Sequence, residues 1–162
     1  MSYQPIYGDY GVVHTSGAFG KLIRLGTFSH WNHAVVYIGG GLLIDANPKG
    51  VQIKPVSEYK DGDIAWNQHE GLTSAQRTAI VAHAHSLVGS VYNFATIAVL
   101  TLRILGLRVL SNMSILKHLA EKDGYICSEL VVACYNFANV VISDKPDYLT
   151  TPANLAFRLM YQ

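Results

Sequence analysis

The clearest structural signal in the chain is the run His33-Ala-Val-Val-Tyr-Ile-Gly-Gly-Gly-Leu-Leu-Ile-Asp-Ala-Asn47. Apolar and aromatic residues on both sides of a glycine cluster are typical of two strands joined by a tight turn. If the middle glycine is the centre of the turn, Val35 lies opposite Asp45 and His33 lies opposite Asn47. The run therefore predicts an antiparallel hairpin with polar side chains at its open end.

Strand signals continue on both sides of this hairpin, and helical periodicity follows them. The predicted strands are Tyr10–His14, His33–Ile38, Leu42–Ala46, Val51–Lys54 and Ile64–Trp66. The predicted helices are Gly20–Leu25, Thr73–Val88, Phe94–Leu105, Ile115–Ala120, Cys127–Phe137 and Pro152–Met160. This order predicts an α+β fold in which a small, barrel-like antiparallel sheet packs against helices. The length of 162 residues predicts a single domain, residues 1–162.

The predicted hairpin brings a histidine within reach of a carboxylate. His33 and Asp45 are diagonal neighbours on one face of the two strands, a separation that an imidazole can span. Asp45 or Asn47 can therefore fix the tautomer of His33, as a catalytic base requires. The alternative is a structural histidine at a sheet edge, with Asp45 and Asn47 serving the neighbouring turn.

The second candidate is Cys127, which follows the loop residues Asp123-Gly124 and begins a predicted helix. The partial positive charge at a helix N-terminus favours a thiolate, so Cys127 is placed as a nucleophile. The alternative is that it is a small apolar core residue. Cys134 lies two turns further along the same helix among valines, which predicts a buried, inert thiol. That spacing is too long for a disulfide and predicts two free thiols.

A resemblance to a known family rests on several short motifs in the right order. They are the strand His33-x-x-x-Tyr-Ile-Gly39, the acidic Asp45 on the next strand, and the helix start Tyr125-x-Cys-Ser-Glu-Leu130. This set resembles the circularly permuted branch of the NlpC/P60 papain-like superfamily, which includes relatives of lecithin retinol acyltransferase. In the permuted branch the histidine strand precedes the cysteine helix. Further matches are Gly8-Asp9, Gly89-Ser-Val-Tyr-Asn93 and Thr151-Pro-Ala-Asn-Leu155.

The resemblance implies a permuted papain-like fold and a cysteine peptidase or amidase without a cofactor. Carried over by position, Cys127 is the nucleophile, His33 the base, and Asp45 the residue that orients His33. Many permuted relatives have glutamate at the third position, so Asp45 is a shorter equivalent and Asn47 is the reserve candidate. Tyr125, Tyr92 and the backbone N–H of Cys127 are candidates for lining the substrate pocket or stabilising an oxyanion. The implied substrates are peptide amides such as bacterial cell-wall peptides (peptidoglycan).

Composition excludes other classes of protein. Apolar residues make up 50% of the chain and charged residues 14%, which is incompatible with an intrinsically disordered protein. Lys and Arg number 12 against 11 Asp and Glu, so the chain lacks the positive charge of a nucleic-acid-binding protein. The N-terminus has no secretory signal pattern, which predicts a cytoplasmic protein or one released by phage or secretion machinery. The histidines and cysteines are not spaced as a metal site requires, so no metal is expected.

Two further functional hypotheses remain open. The apolar run from Phe94 to Leu110 is interrupted by Arg103 and Arg108, which disfavours a membrane span. One face of this run can still contact lipid, and then the same three residues would act on a lipid acyl ester or thioester. The other hypothesis is a non-catalytic binding or structural module with a papain-like shape.

Overall fold

The computed structural model describes residues 3–60, 63–68, 71–93 and 124–159. These ranges contain strands β1 (Tyr10–Val13), β2 (His33–Gly39), β3 (Leu42–Asn47), β4 (Gly50–Pro55) and β5 (Ile64–Trp66). They also contain helices α1 (Ala18–Thr27), α2 (Ser74–Ser86), α3 (Cys127–Phe137) and α4 (Pro152–Leu159), with short 3₁₀ turns at Val56–Glu58 and Asp147–Leu149. The predicted α+β class is confirmed.

The predicted elements agree closely with the observed ones. Each predicted strand is present, and its ends differ by no more than one residue from the prediction. A capping box begins α2, because Gln76 N donates to Thr73 Oγ1 and Thr73 N donates to Gln76 Oε1. The predicted helices Phe94–Leu105 and Ile115–Ala120 lie outside the described residues.

The sheet is antiparallel, with strand order β4-β3-β2-β1-β5. The hairpin register matches the prediction, since Val35 pairs with Asp45. The β2–β3 turn contains Gly39, Gly40 and Gly41, whose φ values are 88°, 61° and 74°. L-Residues rarely adopt this region, so the glycine cluster allows the tight reversal that fixes the register.

The prediction of a barrel-like sheet is wrong, because the described strands form an open sheet with β4 and β5 at its edges. Closure would require hydrogen bonds between these two edge strands. The outer edge of β4 is instead paired with the turn that follows α2. Val51 N donates to Ser90 O at 2.9 Å, and Gly89 N donates to Val51 O at 2.9 Å. These bonds occupy backbone groups that a closing strand would need.

Buried side chains pack on both faces of the sheet. One face, with Tyr10, Val12 and Ile44, packs against the helices in the main core. The other face has a smaller cluster of Val13, Val35 and Leu43, against which Tyr59 and Trp66 pack. Asp45 pairs with Val35 and shares its face. This register places the Asp45 carboxylate on the side of the sheet where Tyr59 folds over.

Helix α1 packs against the start of β2 through a glycine. A Cβ at Gly20 would lie 2.4 Å from Asn32 Nδ2 and 2.7 Å from Thr15 O, which is closer than atoms can approach. A Cβ at Gly17, the N-cap of the same helix, would meet nothing within 4 Å. The two glycines therefore differ in what they do, although they are one helical turn apart.

We expect Gly20→Ser to lower the free energy of unfolding by about 1–3 kcal/mol through overpacking. Gly17→Ser is the matched control, because it adds the same atoms at an open position where serine is a favoured N-cap, and its effect should stay within about 0.5 kcal/mol. Urea denaturation of the two variants measures the difference. Equal stability of both variants would contradict the close packing of α1 on Asn32.

Candidate active site

Cys127 is the first residue of α3, and its neighbours anchor the helix start. Ile126 N donates a hydrogen bond of 3.2 Å to Glu129 Oε2. The buried hydroxyl of Ser128 donates to Thr150 O at 2.7 Å. These bonds hold the first turn of α3 in place. The thiol is therefore fixed at a helix N-terminus, where the backbone N–H groups favour a negative charge.

The segment before α3 runs beside the segment after α2. Tyr92 and Tyr125 form an isolated parallel bridge, in which Tyr125 N donates to Val91 O at 3.1 Å and Asn93 N donates to Tyr125 O at 3.3 Å. Gly124 has a φ of 141°, and a Cβ there would lie 3.0 Å from Val91 O. A glycine at this position thus permits the close approach of the two segments. The bridge brings Tyr92 next to the entry into α3.

His33 begins β2 and contacts the carboxylate of Asp45. His33 Nε2 lies 3.2 Å from Asp45 Oδ2, and the two side chains are 12% and 1% exposed. Asn47 Nδ2 donates to the other carboxylate oxygen, Asp45 Oδ1, at 2.7 Å. Asp45 is therefore the partner of His33, while Asn47 supports Asp45.

The electrostatic balance at His33 favours the imidazolium. Burial alone would lower the pKa of His33, but the negative charge on Cys127, together with hydrogen bonds to Asp45 and Cys127 and the charge of Asp45, raises it to about 10. Burial would raise the pKa of Asp45, but the hydrogen bond and charge of His33, with support from Asn47 and Lys54, lower it. These shifts favour an imidazolium beside the Cys127 sulfur and the Asp45 carboxylate.

Two residues that the sequence reasoning missed also contact Asp45. Tyr59 OH donates to Asp45 Oδ2 at 3.0 Å, and Lys54 Nζ lies 3.4 Å from the same oxygen. Lys54 pairs with Leu43 and is therefore a diagonal neighbour of Asp45, so extending the register to the third strand would have identified it. Tyr59 follows a 3₁₀ turn, where no periodic pattern indicates the direction of a side chain.

Tyr92 and Tyr125, the two tyrosine candidates, have different surroundings. Burial raises the pKa of Tyr92, and the negative charges of Cys127 and Asp45 raise it further. Burial also raises the pKa of Tyr125, but the charged group with the largest further effect is Glu129. Tyr92 also lines the cleft beside His33 and Asp45, and Tyr125 is not among the residues that line it.

The two cysteines also differ. Both are free and buried. Burial raises the pKa of Cys134 to about 12, so this thiol stays protonated at neutral pH, in line with the prediction of an inert residue. Cys127, which is 2% exposed, is the one with a histidine partner.

A cleft of about 270 Å³ opens beside the histidine and the carboxylate. One wall is formed by α1 and the loop before it, and the other by the β3–β4 turn and Tyr92. The lining residues are Thr15, Gly17, Gly20, Ile23, Asn32, His33, Asp45, Ala46, Asn47, Pro48, Lys54, Tyr59 and Tyr92. His33 and Asp45 thus face this cleft, whereas Cys127 is not among its lining residues.

The part of the chain that the structure describes contains neither a metal site nor a membrane-spanning helix. Over residues 3–60, 63–68, 71–93 and 124–159, no three histidine, cysteine or acidic side chains are grouped as a metal site requires. Within those same ranges, no helix has the length and apolar character needed to cross a bilayer. The apolar run from Phe94 to Leu110, for which lipid contact was predicted, lies outside the described residues.

Comparison with known proteins does not assign the chain to a family. No protein-family model and no curated protein matches the chain. The resemblance to permuted papain-like enzymes therefore stays a prediction.

Proposed function

We propose that the protein is a cysteine hydrolase, an amidase or peptidase that cleaves peptide amide bonds through an acyl-enzyme. The observation that carries the proposal is the position of His33, whose Nε2 lies 3.2 Å from Asp45 Oδ2 and which is near enough to Cys127, at the start of α3, for the charge of that sulfur to raise the pKa of His33. Nε2 of the imidazole faces Asp45, which leaves Nδ1 for proton exchange with the thiol. A thiol next to an imidazole that is oriented by a carboxylate forms a nucleophile with its base.

The first half of the reaction forms a thioester. Cys127 Sγ, having given its proton to His33, attacks the carbonyl carbon of the amide. The backbone N–H groups at the start of α3 are placed to stabilise the oxyanion, and the hydroxyl of Tyr92 is a further donor. The carbon–nitrogen bond then breaks, and the imidazolium of His33 gives its proton to the leaving amine.

The second half restores the enzyme. Neutral His33 takes a proton from water, and the resulting hydroxide attacks the thioester carbonyl. The carbon–sulfur bond breaks, the acid product leaves, and the Cys127 thiolate again pairs with the imidazolium. Asp45 remains ionised throughout and stabilises the imidazolium in both halves.

The substrate class follows from the family resemblance rather than from the cleft alone. Peptide amides of the bacterial wall are the leading substrates, and a phage or bacterial wall-remodelling enzyme fits this chemistry. A lipid acyltransferase or thioesterase would use the same three residues, and a non-catalytic module would use none of them. The mass of Cys127 after incubation with peptide or with phospholipid distinguishes these three hypotheses.

We expect that incubation with cell-wall stem peptides at pH 7 adds a peptidyl mass to Cys127 and releases a cleaved product. Fragment-ion mass spectrometry assigns the adduct, and Cys134 in the same helix is the internal control, since its protonated thiol should gain nothing. Parallel samples contain phospholipid vesicles. An adduct from phospholipid alone would support the lipid enzyme, and the absence of both an adduct and a cleaved product with the stem peptides would contradict the hydrolase.

A further inference from the structure

One carboxylate oxygen of Asp45 is shared by three donors. Oδ2 lies 3.2 Å from His33 Nε2, 3.0 Å from Tyr59 OH and 3.4 Å from Lys54 Nζ. The other oxygen, Oδ1, accepts a hydrogen bond of 2.7 Å from Asn47 Nδ2. The oxygen that faces the imidazole therefore also serves a phenol and an ammonium group.

The effect of these shared contacts on the affinity of His33 for its proton has a definite direction. A hydroxyl donor and a cation on Oδ2 both stabilise the carboxylate charge and reduce its attraction for the proton on His33 Nε2. A residue that must accept a proton in one step and release it in the next works best when neither state is held too tightly. An unshared Oδ2 would hold the imidazolium more strongly.

The other polar and charged groups around His33 and Asp45 do not take over the stabilisation of Asp45 Oδ2 by Tyr59 and Lys54. The groups that face His33 and Asp45 are Cys127 from α3, Tyr92 from the segment after α2, Asn47 from β3, Lys54 from β4 and Tyr59 after the 3₁₀ turn. Glu58 stands behind Lys54 at 3.7 Å and partly offsets its charge. Within the described residues, Lys54 is the ammonium group that contacts the carboxylate, beside the imidazolium of His33.

We propose that Tyr59 and Lys54 are positioning residues that share Asp45 Oδ2 with His33 and thereby limit how strongly Asp45 holds the imidazolium proton. The catalytic meaning of this role rests on the proposed function. The contacts themselves do not, so they can be tested in a protein that has no nucleophile.

The test is an NMR titration of the His33 ring in a Cys127→Ala background, where the thiolate no longer contributes. We expect Tyr59→Phe to raise the pKa of His33 by about half a pH unit, because Oδ2 loses one competing donor. Lys54→Met should shift it in the same direction and provides a second variant if Tyr59→Phe folds poorly. Tyr37→Phe and Lys49→Met are matched controls that leave Oδ2 untouched, and they should not move the titration.

Each alternative result overturns the proposal. If Tyr59 only holds the Asp45 side chain in place, Tyr59→Phe will lower the pKa of His33 toward its ordinary value, because the carboxylate moves away. An unchanged titration in both Tyr59→Phe and Lys54→Met would show that neither residue acts on His33. The titration does not depend on turnover, so the acyl-adduct experiment decides the hydrolase proposal separately.

Discussion

Replacement of Cys127 by alanine should abolish peptide hydrolysis while the fold persists. The proposed reaction has no other nucleophile, so kcat/KM should fall by at least about 10³-fold. The side chain is small and 2% exposed, and its truncation removes one buried sulfur, which costs about 1 kcal/mol of stability. Steady-state hydrolysis of the stem peptide, with thermal unfolding measured on the same sample, checks both parts.

Cys134→Ala is the matched control for this substitution. It removes a second buried thiol from the same helix, and burial raises the pKa of that thiol to about 12. We expect this variant to keep its turnover, since Cys134 has no part in the proposed chemistry. If Cys127→Ala hydrolysed peptide as fast as the native protein, the acyl-enzyme mechanism would be wrong.

The parts of the site that could be predicted depend on local rules. Alternation along a strand and a glycine turn fix the register of the hairpin, and the register fixes that Asp45 is near His33. Likewise, the position of Cys127 follows from where a helical pattern begins. These are short-range consequences of the chain, and the structure agrees with them.

The parts that could not be predicted depend on long-range packing. Tyr59 reaches Asp45 only because the chain folds back over the sheet after β4, and no residue near Tyr59 indicates that path. The open sheet has a similar origin, since the turn after α2 pairs with the edge of β4. Tyr125 lies two residues from Cys127, yet it has a different set of charged neighbours. Distance along the chain is therefore a poor guide to which polar groups share a site.

The negative charge of Cys127 makes the largest contribution to keeping His33 protonated in the absence of substrate, and the hydrogen bond and charge of Asp45 add to it. Burial opposes the imidazolium, and the nearby negative charges outweigh that effect and raise the pKa of His33 to about 10. Catalysis that needs the imidazolium as an acid should therefore persist through neutral pH and decline as pH rises through about 10. Above that pH the leaving amine no longer receives a proton from His33.

Asp45→Asn should lower kcat/KM by about 10²–10⁴-fold and move the alkaline decline to lower pH. Asparagine keeps the shape of the side chain but removes the charge, so the pKa of His33 falls. The native pKa of Asp45 is lowered by its partners, so its stabilising contribution is present above the unfolded-state pKa and is lost as pH falls through the folded-state pKa. The variant should lack that acid-dependent loss of stability. Measurements are kcat/KM from pH 6 to 11 and urea denaturation across the acid range.

Asp63→Asn is the control, because this partly exposed carboxylate lies 3.7 Å from His14 instead of His33. Its hydrolysis profile should match that of the native protein.

The loss of activity and the shift of the alkaline decline in Asp45→Asn together distinguish the effect of the Asp45 charge from the effect of its shape. If Asp45→Asn lost activity without any shift of the alkaline decline, Asp45 would orient His33 without stabilising its proton. In that case the sharing of Oδ2 with Tyr59 and Lys54 would affect only geometry. A shift to lower pH would instead make the carboxylate charge the cause, because the amide keeps the size and shape of the side chain.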